Sequence, residues 1–63
     1  MTIVVYKGSI KDAIFLYSYE GFGFIPRKNE LITFENETYI VNTIQYDLNE
    51  NTVRIFVDIY NWE

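Results

Sequence analysis

TYIVNTIQY, Thr38 to Tyr46, is the stretch whose reading decides the fold. Alternate residues of a half-buried strand share a face; here Tyr39 and Val41 are apolar on one phase, Ile44 and Tyr46 on the other. A parity switch near Asn42-Thr43 is the mark of a β-bulge, one extra residue that bends its strand. The bent strand is expected to contribute to both sides of a curled sheet. The flanks fit that reading. Glu30 to Phe34 and Thr52 to Tyr60 are strand patterns, set off by Glu35-Asn-Glu37 and Asp47-Leu-Asn-Glu-Asn51, compositions suited to hairpin turns. The back half therefore reads as an antiparallel meander. In its last strand Val53, Ile55, Val57 and Ile59 alternate with Arg54, Phe56, Asp58 and Tyr60, so the aliphatic set is expected in the core and Phe56 and Tyr60 outside.

Thr2 to Tyr6 is a β-branched run ended by Lys7-Gly8-Ser9, a strand followed by a turn. Ser9 to Glu20 carries two patterns. Ile14 to Tyr19 is dense in strand formers, with Phe15, Tyr17 and Tyr19 on one side and Ile14, Leu16 and Ser18 on the other. The competing pattern is a short helix over 10–20, with a capping box at Ser9–Asp12, a stop at Gly21 and Ile10, Ala13, Ile14 and Tyr17 on one face. The strand is favoured. Pro26 lacks a ladder donor, so Pro26 to Asn29 reads as a loop. The expected fold is all-β, one domain over 1–63, a small antiparallel meander or open barrel of four to five strands; the alternative is α+β with that one helix.

At 63 residues the chain has no cysteine or histidine. Disulfides, Cys/His zinc sites, thiolate nucleophiles and serine–histidine relays are thereby excluded, and the domain must be held by apolar packing. Aromatic residues make up 19%, enough to fill a small core and leave some outside as contact surface. No apolar run approaches the roughly 18 residues that span a bilayer, and no signal-peptide pattern opens the chain, so a cytoplasmic protein without membrane contact is expected. Asn36-Glu37-Thr38 is a glycosylation sequon better read as a polar hairpin tip.

The net charge of −4 is divided unevenly. Residues 1–28 set Lys7, Lys11, Arg27 and Lys28 against Asp12 and Glu20, a net +2, whereas 29–63 set seven acids against Arg54 alone, a net −6. An acidic half of this kind attracts a basic partner. Paired carboxylates such as Glu35 with Glu37, or Asp47 with Glu50, lie on turn tips, where solvent prevents the separated pKa values that acid–base hydrolysis needs. No enzymatic activity is expected. Asp47, Asn49 and Asn51, with Asp58 at the twelfth place, imitate a calcium loop, but Thr52 stands where the sharp-turn glycine belongs and strands flank it. No metal and no cofactor is expected.

Gly21-Phe-Gly-Phe-Ile25 resembles the base-stacking strand of cold-shock domains. That resemblance implies single-stranded nucleic-acid binding, with Phe22 and Phe24 stacking on bases and Arg27 and Lys28 beside the backbone. Glu20 occupies the basic first position, Pro26 follows at once, and no histidine-bearing second strand exists. Nucleic acid is thus the alternative partner, and Phe22 and Phe24 are read as packing at a bend.

From Ile25 onward, apolar-Pro26-Arg27, Glu30, Tyr39-x-Val41 and the alternating Val53, Ile55 and Val57 resemble short β-proteins of phages and prophages, with Asn29 where the pattern's usual glycine belongs. The resemblance covers about 35 of the 63 residues. It implies a mobile-element origin and a non-enzymatic role; acidic phage proteins of this size, anti-CRISPR inhibitors among them, often occupy a host protein's nucleic-acid groove. The expected function is stoichiometric binding, with inhibition in view, to a basic host protein such as a nuclease. Glu35, Glu37, Asp47, Glu50 and Asp58 would supply charge, and Phe56, Tyr60 and Trp62 anchoring contacts. The remaining alternative is a phage structural or accessory protein that self-associates through an exposed edge strand, the chain being otherwise a monomer or weak homo-oligomer.

Overall fold

The computed structural model describes residues 1–21 and 25–61. It is all-β. Five strands, β1 (Thr2–Lys7), β2 (Ile14–Glu20), β3 (Leu31–Phe34), β4 (Glu37–Asp47) and β5 (Thr52–Ile59), form one sheet in the order β2-β1-β5-β4-β3, curled into an open half-barrel. Residues 14–20 form a strand, not the alternative helix, because β2 completes an antiparallel ladder from Thr2↔Glu20 to Lys7↔Ile14. The back half is the expected meander: β3 pairs β4 and β4 pairs β5, both antiparallel. Sequence patterning did not reveal that β1 lies parallel to β5, in register from Thr2↔Thr52 to Lys7↔Val57. This pairing welds the front hairpin to the back meander.

The anticipated bulge is present. The β4–β5 register slips between Val41 and Thr43, leaving Asn42 unpaired. The extra residue resets the alternation, so Val41, opposite Val57, and Ile44, opposite Ile55, point to one concave face rather than to both sides as expected. Asn42 Nδ2 donates to Asp58 Oδ2 at 2.9 Å, tying the bulge to β5. A second bulge lies at Leu16, where the β1–β2 register slips between Val5 and Tyr6. It separates Phe15, opposite Tyr6, from Tyr17 and Tyr19, opposite Val5 and Ile3, and so divides the three aromatics expected on one side.

Ile3, Val5, Tyr39, Val41, Val53, Ile55 and Val57 form the core on the concave face, with Leu16, Tyr19, Ile25, Ile32, Phe34 and Ile44 packed against it. Ile59, expected to join them, is 49% exposed. It lies at the far end of β5, where β1 has no partner left to offer beyond Lys7↔Val57. Phe56, expected outside, is 3% exposed. Because β1 and β4 flank β5, the convex side is covered as well: Tyr6 stacks on Phe56 at 5.4 Å and 17°, and Phe15 meets Tyr6 edge-on at 6.4 Å.

Turn chemistry fixes the ends. Glu35 and Asn36, with φ of 49° and 66°, make a two-residue hairpin of type I′, whose twist matches that of the flanking strands. Gly8, at φ 106°, sits where a Cβ would come within 2.8 Å of the Asp12 carbonyl oxygen. Pro26 lies in the expected loop and is buried. From there the chain reaches the meander, Asn29 N donating to Val41 O at 2.8 Å and Val41 N to Glu30 O at 2.8 Å.

Candidate partner-binding site

A half-barrel has two unpaired edges, here β2 and β3, and curling turns them toward each other. No Cα of β2 comes within 8 Å of a Cα of β3, so their backbones do not pair. Side chains nonetheless meet across the opening: the Tyr17 and Phe34 rings are 5.1 Å apart, and Tyr17 lies 5.7 Å from Tyr19. Beneath and beside this aromatic row is an apolar cleft of about 630 Å³. Val5 and Tyr39 contribute to its floor, Leu16 to its β2 wall, and Ile32 and Phe34 to its β3 wall. Pro26 and Glu35 also line it, and Glu35 is the one charged lining residue among the described residues. Burial, then the neighbouring Tyr17, pushes the Tyr19 phenol above its ordinary value.

The two ladders fix which backbone groups stay free. Gly21 N donates to Met1 O at 3.0 Å, so by antiparallel alternation Tyr19 and Tyr17 bond to β1, whereas Ser18 and Glu20 direct their amides and carbonyls away from the sheet. On the other edge Thr38 O accepts from Tyr60 N at 2.9 Å, so Thr38 belongs to the β5 side and its partner Thr33 points outward, as does Leu31. Both edges thus direct toward the opening strand-pairing groups that have no partner among the described residues.

The acids expected to act together are divided between the ends of β4. Glu35 and Glu37 sit at its start, with Asp58, opposite Ile40, close by. Asp47 and Glu50 lie at its finish, about 30 Å away along an 11-residue strand. Asp47 is also engaged: its Oδ2 accepts from Arg54 Nη1 at 2.8 Å and its Oδ1 from Glu50 N at 3.1 Å. Those bonds, the Arg54 one foremost, hold its carboxyl below the usual range. Glu20 is likewise lowered, first by Thr2 Oγ1 at 2.8 Å and then by the amino terminus at 3.4 Å. Asp47 and Asp58 are separated by most of β5 and cannot share an ion in the manner of a calcium loop. Among the described residues no group of three or more acids is placed to hold a metal.

Of the expected anchors, Phe56 is withdrawn by its burial under Tyr6, and Tyr60 is half-buried beside the start of β4. Trp62, like Phe22 and Phe24, lies outside the described residues. Arg27 and Lys28 are exposed, and the Arg27 amide donates to Glu30 Oε1 at 2.7 Å. Exposed apolar side chains lie instead at residues that sequence reasoning gave no role, among them Ile10, Ile14, Phe15 and Tyr17 on and beside the β2 edge, Leu31 on β3 and Leu48 in the β4–β5 turn. The signal at β2 was a strand free of lysine and proline, the usual guards of an edge.

Among the described residues no helix is long and apolar enough to cross a membrane. Comparison of the chain with protein-family models, with characterised proteins and with solved structures returns no match.

Proposed function

We propose that this chain is a non-enzymatic binding protein of mobile-element type that engages a basic host protein stoichiometrically and inhibits it where that partner is a nuclease or another nucleic-acid-binding enzyme. The observation that carries the reading is the open side of the half-barrel, an apolar, aromatic-lined cleft with Glu35 as its one charged lining residue among the described residues, and Glu37 and Asp58 toward the same end. Aromatic rings supply contact area at little entropic cost, and acids at the mouth steer a basic surface toward them.

Affinity capture from a bacterial lysate with the intact chain, followed by mass spectrometry and binding to the purified partner, tests this. The expected partner is basic. Changing Glu35 and Glu37 to Gln and Asp58 to Asn should slow association and flatten its salt dependence, whereas Asp47→Asn with Glu50→Gln, at the opposite end, should leave the rate nearly unchanged. An acidic partner, or an association rate at low salt indifferent to the first set, would refute the proposal.

A further inference from the structure

We infer that the opening between β2 and β3 is a slot for one extended strand, and that its occupant is a segment of the partner protein with alternating apolar residues and a lysine or arginine at its C-terminal end. The inference rests on the binding role proposed above and supplies its mode.

Width comes first. The β2 and β3 Cα atoms are everywhere more than 8 Å apart. At Tyr17 and Phe34 the ring centres are 5.1 Å apart. Each centre lies about 4 Å from its own Cα, given bond lengths of about 1.5 Å, which caps the separation there at about 13 Å. Inserting one strand between two others needs twice the inter-strand spacing, about 9.6 Å, which falls inside that window. Chemistry agrees with width. Ser18 and Glu20 on one side, and Leu31 and Thr33 on the other, present amides and carbonyls without a partner among the described residues, which a strand satisfies and a compact apolar ligand does not. Six strands would then close the sheet and abolish both edges.

Direction follows from topology. β2 runs away from the β3–β4 turn, ending where Glu20 pairs Thr2, and β3 runs toward that turn, ending at Phe34 beside Glu35. An inserted strand is therefore antiparallel to one edge and parallel to the other. Antiparallel pairing is the more stable, and β2, at seven residues against four, is the longer edge. A strand antiparallel to β2 runs toward the β3–β4 turn, bringing its C-terminal end to Glu35 and Glu37. Charge complementarity thus assigns the basic residue to that end.

The test uses the full chain and two blocked peptides of about seven residues, alternating Thr with Val or Ile, one carrying Lys at its C-terminal end and the other at its N-terminal end. Amide hydrogen exchange read by NMR should slow at least tenfold at Ser18, Glu20, Leu31 and Thr33 on saturation with the first peptide. That peptide should bind at least threefold more tightly than the second, and Glu35→Gln should erase the difference. Ser18→Pro removes an outward donor without touching the β1 ladder, and should weaken binding at least tenfold while leaving the urea midpoint in place. Should that variant unfold, the exchange pattern of the unaltered chain decides. Absence of protection at those four amides, or equal binding of the two peptides, overturns the inference. Protection that appears without peptide, together with concentration-dependent mass in ultracentrifugation, assigns the slot to a second copy and overturns it too. If the captured basic partner is retained by Ser18→Pro but lost on neutralising Glu35 and Glu37, the binding role stands and strand insertion alone fails.

Discussion

Phe56 separates two accounts of this molecule. As an outward anchor it would be dispensable for folding; stacked beneath Tyr6 at 3% exposure, it should be among the costliest side chains to remove. A domain of 63 residues is stable by about 3–9 kcal/mol at roughly 0.05–0.15 kcal/mol per residue. Truncating a buried Phe to Ala costs about 3–5 kcal/mol, so Phe56→Ala should remove between roughly a third and all of that stability. Phe56→Leu keeps most of the volume, at a cost of up to about 1.5 kcal/mol, and forfeits the ring pair, about 0.5–1.5 kcal/mol more. With a urea slope near 1 kcal/mol per M for so small a domain, the Leu variant should lose about 0.5–3 M in its unfolding midpoint. Urea titration followed by circular dichroism and tyrosine fluorescence reads this directly. A cycle with Tyr6→Leu should return a coupling of about 0.5–1.5 kcal/mol. A Phe56→Ala variant that folds with a loss under about 0.5 kcal/mol, the range of an exposed site, would refute the burial argument.

Two further outcomes follow from the turns and the end charges. Folding depresses the pKa of both Asp47 and Glu20, so each carboxylate contributes stability that is present above its unfolded value, about 4, and lost as pH falls through its lower folded value. Urea midpoints measured from pH 6 down to pH 2 should decline, and Asp47→Asn should make that decline shallower. Glu35 holds φ 49°, a left-handed conformation costing a side-chain-bearing residue about 1–2 kcal/mol, in a turn that favours Asn-Gly. Glu35→Asn with Asn36→Gly should therefore raise stability by about 1 kcal/mol in the same titration while weakening association with a basic partner.

What the sequence disclosed and what it hid divide along one physical line. Features set by neighbours in the chain were legible. The bulge at Asn42 showed as a parity switch, the β3–β4 hairpin as Glu35-Asn-Glu37 between strand patterns, and the strands of the back half within a residue of their observed bounds. Features set by a pairing of distant segments were not. The parallel β1–β5 ladder joins residues about 50 positions apart, and no local pattern reports it. Yet that ladder makes β5 central, which is why Phe56 is covered on its convex side and why Ile59, past the end of β1, is not. The exposed apolar residues of the β2 edge were hidden for the same reason. Which strand is an edge follows from the global order, so Ile14, Phe15 and Tyr17 could be read as strand formers but not as surface.

The sheet's shape follows from the same bulges that the patterning partly revealed. An unbulged β4 would place Tyr39 and Val41 on one face and Ile44 and Tyr46 on the other, exposing an apolar pair on the convex side; skipping Asn42 gathers all four onto the concave face and bends the strand as it does so. Leu16 does the equivalent in β2, turning Tyr17 and Tyr19 toward the cleft and Phe15 toward Tyr6. Curvature and core are thus produced by the same two extra residues. Two bulges and five strands curl the sheet far enough for Tyr17 to reach Phe34, but not far enough for β2 to pair with β3. The unpaired amides at Ser18 and Thr33 are the remainder of that incomplete closure. The strand inferred above would complete the barrel, and a basic end on that strand is what Glu35 would select.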